Sequence, residues 1–300
     1  MRIGFDYGGT KIAGIAIGEN GETLAELRVE TPRFDYEAGV SVIQNATTQL
    51  QDMAGVKADF VGIGVPGSVD TKTGQISLGN SVWLSGQDLR GDVEAAVGVP
   101  VKIANDANCF ALSEAVDGAG AGGSIVVGAI LGTGVGGGIV VNGQLLTGAN
   151  SISGEWGHMP LPTPRDDERP GPKCSCGHFG HTESWLSGPS LAADYARRAG
   201  IPIKGGPSVP EIVSMIESGD AIAEETFARF EDRLARSFAA IINVLDPDVI
   251  VLGGGVSNIG RLYETIPGMV KPYIFGDEFK TKIIRNMHGD SSGVRGAAWL

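Results

Sequence analysis

The amino-acid sequence predicts an α/β fold built from two copies of one unit. Apolar stretches typical of strands alternate with stretches of helical periodicity along the chain, which is the pattern of the α/β class. The chain also repeats itself, because residues 3–17 align with residues 127–141 at one constant offset. The glycines paired by that alignment are Gly4 with Gly128, Gly8 with Gly132 and Gly14 with Gly138. A chance match between glycine-rich segments is the alternative, whereas duplication predicts a ligand in the cleft between the halves.

The hydrophobic pattern predicts the elements in order. Alternating apolar residues, Ile3 and Phe5 before a glycine turn and Ile15 and Ile17 after it, predict a hairpin. Further strands are predicted over 60–65, 99–103, 125–131 and 249–252, and helices over 37–54, 107–115 and 221–245. Prolines and charged residues dominate 160–173, which predicts an irregular surface loop.

Composition narrows the functional classes. The formal net charge is −12, from 35 acidic and 23 basic residues, and so acidic a surface disfavours broad binding to nucleic acid or anionic membranes. The first residues lack the layout of a signal peptide, and no apolar run approaches the ~18 residues that span a bilayer. Three cysteines cannot form a disulfide framework, and Cys174 and Cys176 are too close to pair. We expect a soluble cytoplasmic protein with reduced cysteines.

Glycine is over-represented, at 47 of 300 residues, and three glycine clusters adjoin predicted strands. The clusters are Gly8-Gly9-Thr10-Lys11, Gly132-Thr133-Gly134 and Gly253-Gly254-Gly255. Such segments let backbone N–H groups surround phosphate oxygens, and threonine hydroxyls add donors. The spacing is not that of a P-loop, so each cluster alone is more often an ordinary hairpin turn. As a matched set they favour a nucleotide bound between two lobes.

Two aspartates near strand ends are candidates for chemistry. Asp6 precedes the first glycine turn, where its carboxylate would hold Mg²⁺ beside phosphates or bond to its own turn. Asp106 lies at a strand-to-helix junction. It would either cap the helix that starts at Ala107 or act as a general base toward a substrate hydroxyl. The flanking Asn105 and Asn108 offer hydrogen-bonding groups suited to a polyol.

Histidines and cysteines concentrated between residues 158 and 181 predict a metal site. The candidate ligands of tetrahedral Zn²⁺ form a Cys2His2 set: His158, Cys174, Cys176 and His181. His178 competes for the fourth position. No open coordination position is implied, so the zinc would be structural, and Glu155 and Glu183 beside the ligands would face sugar hydroxyls. The alternative is that these are incidental residues of a surface loop.

Seven segments, in order along the chain, resemble the ROK (repressor, ORF, kinase) sugar kinases. They are FDYGGTK (5–11), GVPGS (64–68), NDAN (105–108), LGTGVGGG (131–138), GEWGH (154–158), CSCG…HTE (174–183) and LGGG (252–255). The resemblance implies an actin-like ATPase fold, which duplicates a ribonuclease-H-like unit and binds ATP and sugar in the interdomain cleft. We expect a smaller N-terminal lobe of residues 1–116 and 289–300, and a larger lobe of residues 117–288 with a zinc loop at 158–183.

The resemblance also implies roles for individual residues. Asp106 would be the base that activates a sugar hydroxyl for in-line attack on the γ-phosphate. The residues expected to hold the sugar are Gly67, Asn80, Asn105, Asp106, Glu155, His158 and Glu183. Those expected to hold ATP and Mg²⁺ are Asp6, Gly8, Gly9, Thr10, Lys11, Gly132, Thr133, Gly134, Gly254 and Gly255. His181 stands where the family usually has a third cysteine, and because histidine is a longer ligand the loop must shift slightly.

Substrate and partners follow from the same resemblance. Three segments look most like the manno(fructo)kinase branch: NSVWLSGQ (80–87), GEWGHMPLP (154–162) and HGDSSGVRGAAWL (288–300). We therefore expect phosphorylation of fructose at the 6-hydroxyl, with mannose and glucose as side substrates. NDANCFALSEA (105–115) and ILGTGVGGGIVVNG (130–143) look equally like N-acetylglucosamine kinases, so a kinase of that or another N-acetylhexosamine is the alternative. A sugar-sensing transcriptional repressor is a remote alternative, and the family resemblance implies a homodimer.

Overall fold

The computed structural model describes residues 1–69, 74–77 and 82–300, and Asn80 lies outside the described residues. The strands there are β1 (Arg2–Tyr7), β2 (Lys11–Ile17), β3 (Thr23–Glu30), β4 (Phe60–Val65), β5 (Ser68–Val69), β6 (Ile76–Ser77), β7 (Val101–Asn105), β8 (Ile125–Leu131), β9 (Val135–Val141), β10 (Gln144–Leu145), β11 (Val249–Gly253) and β12 (Lys282–Arg285). The α-helices are α1 (Tyr36–Ala54), α2 (Leu89–Val97), α3 (Asp106–Val116), α4 (Glu183–Leu186), α5 (Gly188–Ala199), α6 (Val209–Glu217), α7 (Ala221–Leu245), α8 (Arg261–Val270) and α9 (Ser292–Trp299). None of these helices combines the length and the apolar character needed to cross a bilayer.

The element predictions from the hydrophobic pattern are confirmed, with small shifts at the ends. The helix predicted over 221–245 and the strands predicted over 60–65 and 125–131 have the predicted limits. Helix α1 begins one residue early because the Asp35 side chain caps it, accepting the N–H of Ala38 at 3.0 Å. Strand β7 begins two residues late, at Val101, because the preceding Pro100 has no backbone N–H to donate.

Two five-stranded sheets share one strand order. The orders are β3-β2-β1-β4-β7 and β10-β9-β8-β11-β12. In each sheet the first strand in sequence is central, the next two follow on one side, and two later strands lie on the other. The central strand pairs in parallel with the first of those later strands in both sheets, as β1 with β4 and β8 with β11. This recurrence is the arrangement expected of a duplicated ribonuclease-H-like unit, as the internal repeat predicts.

The chain divides into two compact units. The first unit contains residues 1–122, 138–153 and 286–300, and the second contains residues 123–137 and 154–285. These units differ from the predicted lobes mainly at 138–153, since the prediction assigns those residues to the larger lobe. The reason is packing on helix α3: a Cβ added to Gly138 would lie 2.8 Å from the Cβ of Ala111 and 2.9 Å from the Cα of Asn108.

Glycines in the first unit allow helix α9 to approach its neighbours closely. A Cβ on Gly62 in β4 would lie 1.7 Å from the carbonyl oxygen of Ala297, and a Cβ on Gly296 would lie 1.6 Å from that of Cys109 in α3. Carbon and oxygen cannot approach so closely, so both positions require glycine. Part of the glycine excess therefore serves helix packing and not ligand binding.

Helix α7 carries much of the core of the second unit. Its fully buried aromatic and aliphatic side chains are Phe227, Phe230, Leu234 and Phe238. The same helix buries Arg233 and Arg236, which bind Glu168 at 2.8 Å and 2.9 Å. Glu168 belongs to segment 160–173, whose backbone is irregular apart from one 3-10 turn at Asp166–Glu168. The prediction of a surface loop is therefore wrong at Glu168, because its side chain is buried and paired with these two arginines.

Candidate active site

The first glycine cluster forms the tight turn between β1 and β2. The Gly8 N–H donates to the Lys11 carbonyl at 3.0 Å, and a Cβ on Gly8 would lie 2.7 Å from that oxygen. Buried Thr31 holds the turn from the end of β3, because its hydroxyl donates to the Gly8 carbonyl at 2.7 Å and its N–H to the Thr10 carbonyl at 3.0 Å. Gly9, Thr10 and Lys11 remain exposed. The turn thus presents backbone and a lysine to solvent on a fixed support.

Asp6 lies near the end of β1, just before this turn. Burial, and to a lesser extent the negative charge of Asp106, raise the pKa of Asp6 to about 6. The structure therefore places two carboxylates of the first unit close enough to influence each other's ionisation. A cation beside Asp6 would favour its charged form.

The junction between β7 and α3 separates the roles of Asn105 and Asp106. The side-chain oxygen of Asn105 accepts the N–H groups of Ala107 at 2.8 Å and Asn108 at 3.4 Å, so Asn105 is the cap of the helix. Its Nδ2 donates to the Gly67 carbonyl at 2.8 Å, which ties the GVPGS segment to the start of α3. Asp106 is the first helical residue and is exposed. The N-cap of α3 is therefore Asn105, and the Asp106 carboxylate lies exposed in the first turn of the helix.

The Asp106 carboxylate is accessible to solvent yet surrounded by protein atoms. Burial by those atoms raises the pKa of Asp106, although hydrogen bonds from Ala107 and its own backbone N–H, and from the Asn105 side chain, oppose the rise. One of its oxygens accepts the Ala107 N–H at 2.8 Å. A raised pKa brings a carboxylate nearer to neutral pH, which is the direction that improves a general base.

The second glycine cluster forms the corresponding turn between β8 and β9. The Gly132 N–H donates to the Gly134 carbonyl at 3.0 Å, and the Gly132 carbonyl accepts the Gly188 N–H at 2.8 Å from the start of α5. The third cluster adjoins it, since a Cβ on Gly254 would lie 2.5 Å from the Leu131 carbonyl oxygen, and Gly254 has a φ of 79°. Two glycine clusters of the second unit therefore meet, with Thr133 and Gly255 exposed beside them.

The four predicted metal ligands converge in the second unit. One ligand atom from each of His158, Cys174, Cys176 and His181 lies within 4.8 Å of the others. The Cys174 Sγ is 3.6 Å from the His158 Nδ1, and the Cys176 Sγ is 3.2 Å from the His181 Nδ1. Tetrahedral Zn²⁺ with bonds of about 2.0–2.3 Å requires roughly 3.3–3.8 Å between ligand atoms, and these two distances lie in or close to that range.

His178 has a different position from the four ligands. Its ring stacks on that of His181 with centroids 5.3 Å apart, and its Nδ1 lies 3.6 Å from the Cys176 Sγ. Hydrogen bonds from the backbone and side chain of His178 lower the pKa of Cys176 to about 6, which favours the thiolate that zinc binding needs. His181, and not His178, belongs to the converging set.

The GEWGH segment packs against the start of β9. The Trp156 indole N–H donates to the Gly136 carbonyl at 2.7 Å, and a Cβ on Gly157 would lie 2.0 Å from the Val135 carbonyl oxygen. This packing places Glu155 and His158 on either side of the segment, with 3.9 Å between the Glu155 Oε2 and the His158 Nε2. That separation is longer than a direct hydrogen bond.

An apolar cavity of about 500 Å³ lies beside Gly255 in the second unit. Its walls are Val209, Pro210, Val213, Ile216, Glu217, Phe227, Asn258, Ile259, Gly260 and Arg261. The Arg261 guanidinium is held by Glu224 and Glu231, each at 2.7 Å. The sequence predictions did not include this cavity. The signal available was the apolar spacing of Ile212, Val213 and Ile216 in α6, together with its position after a capping box at Ser208.

The described site residues fall into two groups. The first unit holds Asp6, Gly8, Gly9, Thr10, Lys11, Gly67, Asn105 and Asp106. The second unit holds Gly132, Thr133, Gly134, Glu155, His158, Cys174, Cys176, His181, Glu183, Gly254 and Gly255. Each group contains residues that the resemblance assigns to the sugar and residues that it assigns to ATP, and the second group also contains the predicted zinc ligands.

Comparison with known proteins identifies the family. The model of the ROK family matches residues 2–300. The N-acetyl-D-glucosamine kinase of Photobacterium profundum is 40% identical over 304 residues, which cover 100% of this chain and 99% of that protein. The N-acetyl-D-glucosamine kinase of Vibrio cholerae is also 40% identical over 304 residues, with the same coverage. The chain therefore belongs to the ROK family.

Solved structures agree with this membership and with the predicted actin-like fold. The ROK hexokinase of Thermus thermophilus superposes with a TM-score of 0.87 at 30% identity, covering 99% of this chain and 96% of that one. A ROK family glucokinase from Streptomyces griseus, solved with glucose and AMPPNP, has a TM-score of 0.77 at 30% identity and covers 99% and 97%. The chain stands among the sugar kinases of the family.

The prediction of a fructokinase is wrong. It depended on three short segments that look like another branch of the family: NSVWLSGQ, GEWGHMPLP and HGDSSGVRGAAWL. Over the full chain, the relatives at 39–40% identity are N-acetyl-D-glucosamine kinases, including that of Shigella flexneri at 39% over 305 residues. Asn80 and its immediate neighbours lie outside the described residues.

Proposed function

We propose that this chain is an ATP-dependent N-acetyl-D-glucosamine kinase that phosphorylates the 6-hydroxyl of the free sugar. The observation that carries the proposal is full-length similarity, at 39–40% identity, to kinases of that sugar. The exposed carboxylate of Asp106, with its raised pKa, adds a suitable base. The products are ADP and N-acetylglucosamine 6-phosphate.

Asp106 is the proposed catalytic residue. Its carboxylate takes the proton of the 6-hydroxyl as the oxygen forms a bond to the γ-phosphorus and the bond to the ADP oxygen breaks. Asn105 supports this role because its side-chain oxygen also accepts the N–H groups of Ala107 and Asn108, so the cap of α3 does not depend on Asp106 alone. A base in this role contributes on the order of 10²–10⁴-fold to the rate.

The remaining site residues are proposed to bind the two substrates. Those assigned to the sugar are Gly67, Asn80, Asn105, Glu155, His158 and Glu183. Those assigned to the phosphates are Gly8, Gly9, Thr10, Lys11, Gly132, Thr133 and Gly134. Asp6 would hold Mg²⁺, which neutralises phosphate charge when bound. The apolar cavity beside Gly255 suits an adenine ring, with Gly254 and Gly255 near the ribose, because flat apolar bases need such walls and few polar contacts.

A structural Zn²⁺ is proposed for the Cys2His2 cluster. The support is the convergence of His158, Cys174, Cys176 and His181, because four protein ligands around a tetrahedral ion leave no coordination position for substrate. The ion would hold the two ends of the loop 158–183 together. Glu155 lies just before this loop, and Glu183 is its last residue. Elemental analysis of the purified protein should find about one zinc per chain, and a zinc-free protein that remains fully folded would overturn the assignment.

Two further features follow from the resemblance alone. We propose a homodimer, which light scattering after gel filtration tests directly. We also propose a cytoplasmic location, for which the free state of Cys109, Cys174 and Cys176 is the available support.

A coupled assay of ADP release tests the proposed function. The panel is N-acetylglucosamine, N-acetylmannosamine, glucose, mannose and fructose, each with ATP and Mg²⁺. We expect the highest kcat/KM for N-acetylglucosamine, since a site built to bond the acetamido group discriminates against sugars that lack it. A higher kcat/KM for any other sugar would overturn the substrate assignment, and no stimulation by any sugar would overturn the kinase assignment.

A further inference from the structure

The carboxylate of Glu183 joins two parts of the second unit. Its Oε2 accepts the backbone N–H of Val135 at 3.1 Å, at the point where the glycine turn 132–134 enters β9. Its Oε1 accepts the Ser175 hydroxyl at 2.8 Å, in the zinc loop. Each oxygen thus has a protein donor, and the two donors lie on different segments.

The turn is shaped around this carboxylate. A Cβ on Gly134 would lie 2.7 Å from the Glu183 Oε2, so any larger residue would displace it. The chain just after Glu183 also holds the turn, since Gly188 at the start of α5 donates its N–H to the Gly132 carbonyl at 2.8 Å. The Glu183 carbonyl in turn accepts the Ser190 hydroxyl at 3.0 Å, which fixes the backbone of Glu183 against the same helix.

We infer that Glu183 is a positioning residue, through which the zinc loop sets the shape of the glycine turn 132–134 and thereby the affinity for ATP. The inference rests on the proposed role of that turn in binding phosphate. The ligand Cys174 lies next to Ser175, so an ion that fixes Cys174 also fixes the donor that holds the Oε1. The Glu183 Oε2, held in place in this way, then fixes the Val135 N–H and the turn 132–134 before it. A contact with the sugar would be additional to this role.

The expected signature is a change in nucleotide affinity without sugar present. A residue that only touches sugar would leave that affinity unaltered, whereas a residue that shapes the turn would change it. The readout is the Kd of a non-hydrolysable ATP analogue, measured by calorimetry on the full chain, with zinc content determined on every sample.

Ser175→Ala tests the loop side of the bridge. Ser175 is exposed, is neither a predicted zinc ligand nor a predicted substrate contact, and its loss removes one donor to the carboxylate. We expect the Kd of the analogue to rise about three- to tenfold at unchanged zinc content, the range of a lost hydrogen bond to a charged group that is partly exposed. The matched control is Ser41→Ala on α1, whose exposed hydroxyl bonds only its own helix at the Glu37 carbonyl, and which should leave the Kd unchanged.

Glu183→Gln and zinc removal test the transmission. Chelation should weaken analogue binding in the wild-type chain by at least threefold, and added zinc should restore it. In Glu183→Gln the affinity should already be low, and chelation should change it by less than twofold. A Kd that responds neither to Ser175→Ala nor to chelation overturns the inference. Failure of the wild-type chain to bind the analogue at all would instead overturn the proposed nucleotide site.

Discussion

Asp6 and Asp106 lie close enough in the first unit for the charge of Asp106 to help burial raise the pKa of Asp6 to about 6. Asp6 lies near the end of β1, and Asp106 directly follows the edge strand β7 of the same sheet, so the sheet brings the two carboxylates together. Two neighbouring carboxylates in a partly enclosed site make it costly to keep both charged without a cation. The pair is therefore suited to separate roles, with Asp6 toward Mg²⁺ and Asp106 toward a hydroxyl.

Asp106→Asn should abolish most of the kinase activity while the protein stays folded. The amide cannot accept the hydroxyl proton, so we expect kcat to fall by about 10²–10⁴-fold with little change in the KM for ATP. Circular dichroism should match the wild type, because Asn105 provides the cap of α3. Thermal unfolding should occur at the same or a higher temperature, since the variant removes a carboxylate whose pKa burial raises. Retention of more than a tenth of kcat would contradict the assignment of Asp106 as the base.

The pH dependence of the reaction should reflect the same carboxylate. Burial raises the pKa of Asp106, and only the deprotonated form is a base, so kcat/KM should fall on the acid side at a higher pH than for an ordinary aspartate. The acid limb should be absent from the residual activity of Asp106→Asn. An acid limb that persists there would assign the titration to another group.

Asp6→Asn should make the protein more stable at neutral pH and less active. The pKa of Asp6 is higher in the folded state, at about 6, than its ordinary value of 3.8, so the folded state binds more protons between these values. Stability of the wild type should then decline as the pH rises from 4 to 6. The variant lacks this decline, and its advantage should grow from near zero at pH 4 to about 1–3 kcal/mol at pH 7.

Denaturant unfolding at several pH values measures this effect. The matched control is Asp52→Asn, an exposed aspartate on α1, which should keep the wild-type pH profile. Activity of Asp6→Asn should fall at least tenfold, and excess Mg²⁺ should restore part of it if the carboxylate holds the ion. An Asp6→Asn variant that is less stable than the wild type at pH 7 would contradict the cost assigned to the buried charge.

Asn105 should show separable effects of its two polar atoms. Asn105→Asp keeps the oxygen that caps α3 but loses the Nδ2 that donates to the Gly67 carbonyl at 2.8 Å. We expect this variant to raise the KM for the sugar with little loss of stability. Asn105→Ala loses both contacts and should also lower stability by about 1–2 kcal/mol. Equal stability losses in the two variants would show that the cap is not the main contribution of Asn105.

Much of the fold could be predicted from local pattern, and the reasons are physical. Helix α7 can be predicted because its apolar residues recur at helical spacing over 25 residues. Strands β4 and β8 can be predicted because each is a short apolar run. The convergence of the four candidate metal ligands could be predicted for a similar reason, since three of them lie within eight residues, Cys174 to His181. Residue spacing along the chain thus predicts those elements and ligand clusters that are formed by residues close together in sequence.

Features that depend on distant partners could not be predicted in this way. Glu168 looks like a loop residue until Arg233 and Arg236, on a helix more than 60 residues later, bury it. Whether Asn105 or Asp106 caps α3 depends on which backbone is extended, and the residue types allow either. The substrate prediction failed because short segments shared with one branch outweighed the agreement of the whole chain with another.

Glu168→Gln should destabilise the second unit strongly. Although burial opposes ionisation, the Arg165 N–H and the guanidinium groups of Arg233 and Arg236 lower the pKa of Glu168 to about 2. A neutral amide would leave two buried arginines short of charge compensation, with Arg233 keeping only Asp194 at 2.7 Å. We expect a loss of about 3–5 kcal/mol in the free energy of unfolding at pH 7.

The pH profile and a neighbouring acid provide the control. Because the folded-state pKa of Glu168 lies below its ordinary 4.5, its contribution should be full above pH 4.5 and decline as the pH falls toward 2. Asp167→Asn removes an exposed carboxylate that contacts Arg229 at 2.5 Å, and it should cost less than about 1 kcal/mol. Equal losses in the two variants would show that burial of Glu168 adds nothing.

Gly62→Ala should unfold the first unit or displace helix α9. The added methyl group would lie 1.7 Å from the Ala297 carbonyl oxygen, and both β4 and α9 would have to move to admit it. We expect a loss of at least 3 kcal/mol in the free energy of unfolding, measured with denaturant.

The matched control is Gly268→Ala in α8, where a Cβ meets nothing within 4 Å and a helical alanine should gain up to about 1 kcal/mol. If Gly62→Ala were as stable as the wild type, α9 could not be packed on β4 as closely as described. A destabilised Gly268→Ala would instead show that the backbone of α8, and not contact, controls the effect of alanine there.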